Sequence, residues 1–207
     1  MIRDWIAAER RELATLLDGL SAEQWDAPSL CADWTVGHVV AHLTMPLRYS
    51  KTRFLLGLVK AGGRFQRMSD AAARRDVTLP RAQLIAALRD SADHPREIPG
   101  GGYEGALTHD VIHSLDITRP LGIERPIPAE PMKAVLDAVA GPKSRRYFGV
   151  DTSGLELRAV DLDWSSGSGA PLLGRAQDLA LLLTGRHVPQ DAFSGEGVRP
   201  GAGSPDR

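Results

Sequence analysis

The amino-acid sequence predicts a mainly α-helical chain: a bundle of four helices followed by a small α+β region. Two observations support this fold class. Up to Gly122, apolar residues recur at helical spacing in segments that proline and glycine separate. After Gly122, prolines mark a short linker, and an alternating apolar and polar segment typical of a strand follows. We therefore expect a helical bundle over residues 1–122, an α+β region over 123–193 and a disordered tail over 194–207.

Four amphipathic helices are predicted for the bundle, at residues 3–19, 35–60, 78–93 and 103–118. Pro46 lies inside the second of them and is expected to kink or divide that helix, because proline lacks the N–H that a helix needs. Residues 61–77 are rich in basic side chains and are expected to form either a linker or a short helix.

The C-terminal part predicts helices at 132–140 and 175–184 on either side of a strand segment. Residues 155–164 alternate in polarity, but the phase slips between Ala159 and Val160, which is typical of a β-bulge. Residues 165–169 are expected to form a turn.

Composition excludes several classes of protein. The chain has 207 residues, 43% of them hydrophobic, and a net charge of −1, whereas a nucleic-acid-binding protein normally carries a basic excess. A single cysteine, Cys31, excludes an internal disulfide framework and fits a reducing cytoplasm. Since no leader segment or bilayer-spanning apolar run is found, we expect a cytoplasmic monomer or homodimer without nucleic-acid or membrane partners.

Two pairs of histidines have identical spacing. His109 and His113 are four residues apart in the fourth predicted helix, so both imidazoles lie on one helix face. His38 and His42 repeat this spacing in the second predicted helix. The pattern predicts one metal ion between two helices; the alternative is a chance pair on a helix surface.

A ligand set of His42, His109 and His113 would leave one coordination position open. This is the arrangement of catalytic rather than structural zinc, although three imidazoles also suit nickel, copper or iron. His38 could be a fourth ligand or lie next to a ligand, or it could be a partly exposed residue at the start of its helix.

Three segments of the chain resemble signatures of one family. Residues 20–43, which run from Leu-Ser-Ala-Glu-Gln-Trp to His-Val-Val-Ala-His-Leu, resemble the N-terminal signature of the mycothiol-dependent maleylpyruvate isomerase-like family. Residues 113–122 resemble its second signature, and residues 179–186, ending in Leu-Thr-Gly-Arg, resemble its C-terminal block. The family belongs to the DinB-like metalloprotein superfamily.

The resemblance implies a DinB-like four-helix bundle with a small C-terminal α+β region and a divalent metal, often zinc. His42 and His113 match two ligand positions, and His109 occupies the third, where glutamate is expected in the isomerase itself. This departure weakens the link to the isomerase reaction more than the link to a metal. His38 stands where the family usually carries an aspartate.

The resemblance also implies an enzyme that uses the thiol cofactor mycothiol. The thiolate would take the open metal position and either isomerise a small electrophilic substrate or be transferred to it. The implied partners are a small-molecule substrate and a low-molecular-weight thiol. Two other functions stay open: a non-catalytic ligand-binding or sensor protein on the same bundle, and a metallohydrolase that uses the same ligands.

Three further residues are candidates for roles near the site. Arg186 matches the family's Gly-Arg block and is expected to bind a carboxylate of the substrate or of the thiol cofactor, or else to be a cation at a helix C-terminus. Asp116 could orient a ligand imidazole or pair with Arg119. Cys31 is expected to be a buried small residue rather than a nucleophile.

Overall fold

The computed structural model describes residues 1–93 and 101–198, which form two compact units, Met1–Glu124 and Arg125–Arg207. The helices of the first unit are α1 (Ile2–Asp18), α2 (Ala22–Asp26), α3 (Val36–Arg48), α4 (Lys51–Lys60), α5 (Phe65–Asp76), α6 (Arg81–Ser91) and α7 (Gly102–Thr118). In the described part of the chain, no helix is both long and apolar enough to cross a bilayer.

Helices α1, α3, α6 and α7 form the predicted four-helix bundle. Helix α1 packs against α6 and α7, and α3 packs against the same two helices. The apolar residues between them are buried, and burying each large aliphatic side chain contributes about 1.5–3 kcal/mol. The largest of those that are fully buried include Leu13, Leu17, Leu43, Leu84, Leu88 and Ile117. The predicted fold class, mainly α with a four-helix bundle and a small α+β region, is confirmed.

The helix predicted over 35–60 is two helices. Pro46 lies inside α3, which continues to Arg48, so the division falls at Tyr49 and Ser50 rather than at the proline. Ser50 sets the boundary because its side chain accepts a hydrogen bond from the backbone N–H of Arg53 at 3.1 Å and so begins α4.

Residues 61–77 contain a regular helix, α5, and not only a linker. Gly62 and Gly63 both have positive φ angles, 66° and 75°, and they reverse the chain between α4 and α5. Helix α5 then packs against α3. This contact places α5 beside one of the predicted metal ligands.

The second unit contains three helices and a four-stranded sheet in its described part. Its elements are α8 (Ala129–Ala140), α9 (Pro142–Phe148), β1 (Leu155–Ala159), β2 (Ser165–Gly167), β3 (Ala170–Gly174), α10 (Ala176–Leu183) and β4 (Phe193–Ser194). The strand order is β2-β1-β3-β4; β1 and β3 are parallel, and the two outer pairings are antiparallel. Helix α10 packs against α8 and β1.

Two details of this region differ from the prediction. The predicted bulged strand over 155–164 ends at Ala159, because the Ala159 N–H donates to the Trp164 carbonyl at 3.0 Å and closes a hairpin connection over residues 160–164. The predicted turn over 165–169 begins as strand β2. In the predicted tail, Ser194 pairs with Leu173, and residues 199–207 lie outside the described residues.

Candidate metal centre

The three predicted ligands converge. His42 lies on α3, and His109 and His113 lie one turn apart on α7, which packs against α3. Their potential ligand atoms all lie within 4.8 Å of one another, and His42 Nε2 is 3.2 Å from His109 Nε2. The ring centroids are 4.7 to 5.1 Å apart, with the planes steeply inclined to one another. Three imidazoles from two helices therefore face one point.

The spacing fits a divalent metal ion. Two nitrogens that bind tetrahedral zinc at about 2.0–2.1 Å are about 3.3 Å apart, close to the observed 3.2 Å between His42 and His109. His42 is 6% exposed, and the side chains of His109 and His113 are 17% and 12% exposed. The ligands are thus largely removed from water.

Two carboxylates select the imidazole tautomers that a metal requires. Asp116 Oδ2 lies 2.8 Å from His113 Nδ1, and Asp110 Oδ1 lies 3.3 Å from His109 Nδ1. Since an ionised carboxylate only accepts hydrogen bonds, each Nδ1 carries a proton, and in the neutral ring Nε2 is then the nitrogen with a free lone pair. A metal binds a deprotonated ring nitrogen. The carboxylates therefore prepare both α7 histidines as Nε2 ligands.

At the third histidine, His42, a serine hydroxyl takes the position beside Nδ1 that a carboxylate has at the other two. Ser69 Oγ, on α5, lies 2.7 Å from His42 Nδ1, and both side chains are buried. A serine hydroxyl accepts a hydrogen bond from Nδ1–H as readily as it donates one. When it accepts, His42 has the same tautomer as the other two histidines. Helix α5, for which the sequence allowed either a linker or a short helix, thus orients one of the three predicted ligands.

A buried ion pair between Arg10 and Asp110 supports the orientation of His109. The Arg10 Nε donates to Asp110 Oδ2 at 2.7 Å, and both side chains are 4% exposed. Arg10 also donates to the carbonyl of Ser91 at 3.2 Å. The pair ties α7 to α1 and α6 and fixes the carboxylate that orients His109. Sequence analysis missed Arg10, which belongs to a charged run, Glu9–Glu12, of a kind typical of a solvent-facing side of a helix.

Asp116 serves the other α7 ligand. Its side chain is fully buried, and the same Oδ2 that lies beside His113 also accepts from the Cys31 thiol at 3.1 Å. The Leu30 N–H donates to the Asp116 carbonyl at 3.1 Å, which fixes the loop before α3 against α7. This geometry favours the orienting role for Asp116. Cys31 is only partly buried, which corrects the expectation of a buried residue.

An indole covers one side of the histidine group. The Trp34 ring lies 5.2 Å from the His42 ring, tilted by 53°, and its Nε1 donates to Asp70 at 2.9 Å. Hydrogen bonds from Trp34 and then from Arg74 hold the pKa of Asp70 below its usual value, so the carboxylate stays ionised and keeps the indole in place.

His38 caps its helix and is not among the three converging ligands. The Thr35 N–H donates to His38 Nδ1 at 3.3 Å, and Thr35 Oγ1 lies 2.8 Å from the same nitrogen. Burial and then the charge of Arg74 lower the pKa of His38, which favours the neutral ring that can accept at Nδ1. The imidazole therefore supplies the acceptor that an aspartate supplies in the resembling family.

Arg186 lies in the second unit, shortly after α10. It donates to the Thr184 carbonyl at 2.8 Å, and its guanidinium carbon is 6.0 Å from the centroid of the Phe148 ring. A cation that bonds to a terminal carbonyl of a helix is a common C-terminal arrangement. Its predicted contact with a substrate or cofactor carboxylate stays a prediction.

Comparison with known proteins agrees with the fold. Residues 6–98 match the family model described as the mycothiol maleylpyruvate isomerase N-terminal domain. No curated protein matches the chain. Two crystal structures of mycothiol-dependent maleylpyruvate isomerase, one of them a histidine-to-alanine mutant, superpose with TM-scores of 0.60 and 0.59 at 15% and 14% identity. Both alignments cover 98% of this chain and 95% of the other. The family match covers 93 of the 207 residues, and the likeness to the two crystal structures shows a shared fold over nearly the whole chain.

Proposed function

We propose that His42, His109 and His113 bind one divalent metal ion, with zinc as the first choice, and that the chain is a metal-dependent enzyme with mycothiol as its thiol cofactor. The substrate is a small electrophile that the enzyme either isomerises or joins to the thiol. The observation that carries this proposal is the convergence of three imidazoles on one point, two of them with the tautomer set by a carboxylate. The family match supports the choice of thiol.

His42, His109 and His113 would hold the metal ion, which would stabilise the cofactor as its thiolate. Addition of the thiol to a conjugated double bond followed by its elimination would give isomerisation, whereas addition without elimination would give transfer. The protein's own residues hold this geometry. Asp116 keeps the proton of His113 on Nδ1, and Asp110 does the same for His109. Since Asp110 is held by buried Arg10, the His109 ring has a fixed direction without any bound ligand.

His109 distinguishes this site from one that contains a carboxylate ligand. Three neutral imidazoles do not reduce the double charge of the metal ion, whereas a glutamate in place of His109 would. A site of three histidines therefore stabilises a bound anion more strongly. This favours tight thiolate binding, and it leaves open whether the thiol is released after each turnover, as isomerisation requires, or leaves with the product.

Arg186 is the proposed contact for a carboxylate of the substrate or of mycothiol. The proposal rests on the match of residues 179–186 to the family's C-terminal block and on the planar guanidinium, which binds a carboxylate through two hydrogen bonds. Arg186→Lys keeps the charge but not the paired geometry. We expect this variant to raise KM for an anionic substrate more than it lowers kcat, in steady-state assays of the metal-loaded enzyme.

The proposed function is tested by turnover with and without thiol. Untagged protein is loaded with one equivalent of zinc and mixed with mycothiol and a panel of electrophiles that includes maleylpyruvate. We expect turnover that needs both zinc and thiol and that His113→Ala abolishes. His187→Ala is the matched control, because His187 is an exposed histidine of the second unit.

The same assay separates the alternatives. Free thiol stays constant during isomerisation and falls by one equivalent per product during transfer, so a thiol titration distinguishes the two reactions. Turnover without any thiol would instead identify a metallohydrolase. Tight binding of a panel compound without turnover of any substrate would support a sensor and contradict the proposed enzyme.

A further inference from the structure

Helix α4 exposes an apolar face to solvent. Leu55, Leu56 and Val59 are 60%, 57% and 68% exposed, and no residue of α4 is buried. At about 100° per residue, these three side chains fall within an arc of about 100° on one side of the helix. The opposite side, with Phe54 and Leu58, packs against the cluster around Met68 on α5. The exposed face is therefore not the side that holds α4 to the protein.

Basic side chains surround this apolar face. Residues 51–67 carry five basic residues and no acidic one: Lys51, Arg53, Lys60, Arg64 and Arg67. The rest of the chain has twenty basic and twenty-six acidic residues, so the segment carries a net charge of +5 and the rest of the chain a net charge of −6. Arg53 approaches Asp76, but within residues 1–93 and 101–198 the other four have no ion-pair partner. All five are exposed.

We propose that residues 51–67, the α4 segment, bind the surface of an anionic lipid bilayer. A helix that lies in a membrane interface buries a narrow apolar face among the acyl chains and places lysines and arginines on both sides of it, against lipid phosphates. Lys51 and Lys60 lie on either side of the apolar arc. The inference does not depend on the proposed enzyme reaction, and it is an alternative to the expectation of no membrane partner, which rested on the absence of a spanning segment.

Charge and apolarity together select a bilayer over other partners. A second copy of the chain would bring two segments of five positive charges each against one another, which is repulsive. A nucleic acid offers phosphates but no hydrocarbon in which Leu55 and Val59 could be buried. An anionic bilayer offers both. Phe65, which is 43% exposed, adds an aromatic side chain to the same segment.

The test is flotation of the full-length protein with lipid vesicles. At about 0.1 M salt we expect binding to vesicles of equal parts phosphatidylglycerol and phosphatidylcholine. Because each basic residue near an anionic surface changes partitioning by about fivefold, Lys60→Glu with Arg64→Glu should lower the bound-to-free ratio at least about tenfold. Binding should fall similarly with phosphatidylcholine alone, or at about 1 M salt, where the Debye length is only about 3 Å.

The apolar face is tested separately. Leu55→Gln with Val59→Gln should reduce binding at least about tenfold, since the burial of two aliphatic side chains is lost. Tyr147→Gln with Val160→Gln replaces two similarly exposed side chains, 60% and 59%, in the second unit and should leave binding unchanged. Lys133→Glu with Lys143→Glu is the matched charge control. Thermal midpoints should not differ among these variants, because every changed side chain is exposed.

Several results would overturn the proposal. The proposal is wrong if the wild-type protein does not float with the anionic vesicles, or if the control variants lose as much binding as the α4 variants. Retention on nucleic acid that only the charge reversals abolish would identify a different anionic partner. A dimer in sedimentation that Leu55→Gln with Val59→Gln dissociates, in a protein that binds no vesicles, would show that the face joins two copies of the chain.

Discussion

The contact between α3 and α5 holds two polar clusters with opposite properties. Tyr49, directly after the end of α3, is seven positions beyond His42, and Asp76 is seven positions beyond Ser69 on α5, so the two clusters lie two turns apart along the same helix pair. The first contains His42, oriented by Ser69, and its nitrogens converge with those of two further histidines. The second contains Asp76, surrounded by donors.

We call these the histidine cluster (His42, His109, His113) and the Asp76 cluster (Asp76, Arg48, Tyr49, Arg75). In the Asp76 cluster, the carboxylate accepts from Arg48 at 2.9 Å, from Tyr49 at 2.8 Å and from Arg75 at 2.9 Å. The positive charges of Arg48 and Arg75 compensate the negative charge of Asp76 there. In the histidine cluster, three imidazole nitrogens face one another instead, and a cation could be bound between them. The contrast separates a structural cluster from a candidate metal site.

The Asp76 cluster also shows how donors overcome burial. Burial by itself raises the pKa of Asp76, but hydrogen bonds from Arg75, Tyr49 and Arg48 outweigh it, and the pKa of the carboxyl group is lowered. Burial, followed by the hydrogen bond to Asp76, raises the pKa of the Tyr49 phenol. At neutral pH the cluster therefore contains a carboxylate and a protonated phenol.

The largest predicted effect is on the histidine cluster. His113→Ala removes one of three ligands, and we expect zinc content to fall from about one equivalent per chain to nearly none in elemental analysis of untagged protein. The thermal midpoint of the metal-free protein is measured alongside, because the imidazole is only 12% exposed and lies beside buried Asp116, and this distinguishes a loss of zinc from a loss of fold. His187→Ala should keep the full zinc content. Equal zinc in the two variants would mean that the histidine cluster is not the metal site.

The next effect is on stability alone. Asp76→Asn leaves Arg48 largely buried without its counter-charge, and breaking such a pair costs about 3 kcal/mol. Chemical denaturation should show this loss while zinc content stays at the wild-type level. Asp18→Asn, which breaks an exposed pair with Arg89, should cost less than about 1 kcal/mol. A loss of zinc in Asp76→Asn would show that the two clusters are not independent.

The pH dependence of the free energy of unfolding tests the charge assigned to Asp76. Because the pKa of Asp76 is lower in the folded protein than in the unfolded chain, its contribution is present above the unfolded pKa of about 3.9 and is lost as the pH falls through the folded value. Wild-type protein should therefore lose more stability than Asp76→Asn on acidification from pH 5 to pH 2. Parallel curves for the two proteins would contradict the assigned charges.

A smaller effect is expected from replacing Asp116, the carboxylate beside the predicted ligand His113. Asp116→Asn can donate as well as accept at the position beside His113, so it no longer fixes the proton on Nδ1. Zinc affinity, measured by competition with a chelator, should weaken about 10- to 100-fold. Cys31→Ser keeps a donor to Asp116 and should change zinc affinity less. The reverse order would mean that Cys31, not Asp116, supports the site.

The smallest effect is expected at Ser69. Ser69→Ala removes the hydroxyl beside His42 but adds no charge, and the buried ring still lies against Trp34. We expect zinc affinity to weaken by about tenfold, the lower end of the range for the partner of a ligand. Thr44→Val is the control. It removes from α3, the helix of His42, a buried hydroxyl that bonds to the backbone carbonyl of Val40 and not to a histidine, and it should leave zinc affinity unchanged.

The sequence predicts the convergence of the three histidines better than it predicts which residues orient them. The four-residue spacing of His109 and His113 defines a face of α7 without any knowledge of neighbours, and Asp116 was a candidate because it lies three residues beyond His113 on the same helix. Ser69 and Arg10 come from other helices, and nothing in local spacing links Arg10 to Asp110, which is one hundred positions away. Ser69 was missed because α5 is weakly apolar, and its helical register is fixed by packing against α3.

The same limit explains the errors in the second unit. The apolar alternation beyond Ala159 resembles a strand, but the Trp164 carbonyl is bonded back to the Ala159 N–H, and only the pairing of β1 with β2 shows this. The parallel pairing of β1 with β3 likewise joins segments that are not consecutive strands of the chain. Long-range pairing is decided by tertiary packing, which periodicity does not contain.

The central claim is that three imidazoles hold a metal ion that leaves one position for a thiol. X-ray absorption at the zinc edge, on zinc-loaded protein before and after addition of mycothiol, tests it most directly. We predict three imidazole nitrogens at about 2.0–2.1 Å in both states and one new sulfur at about 2.3 Å after the thiol is added. A zinc environment without imidazole, or one that gains no sulfur, would contradict the claim.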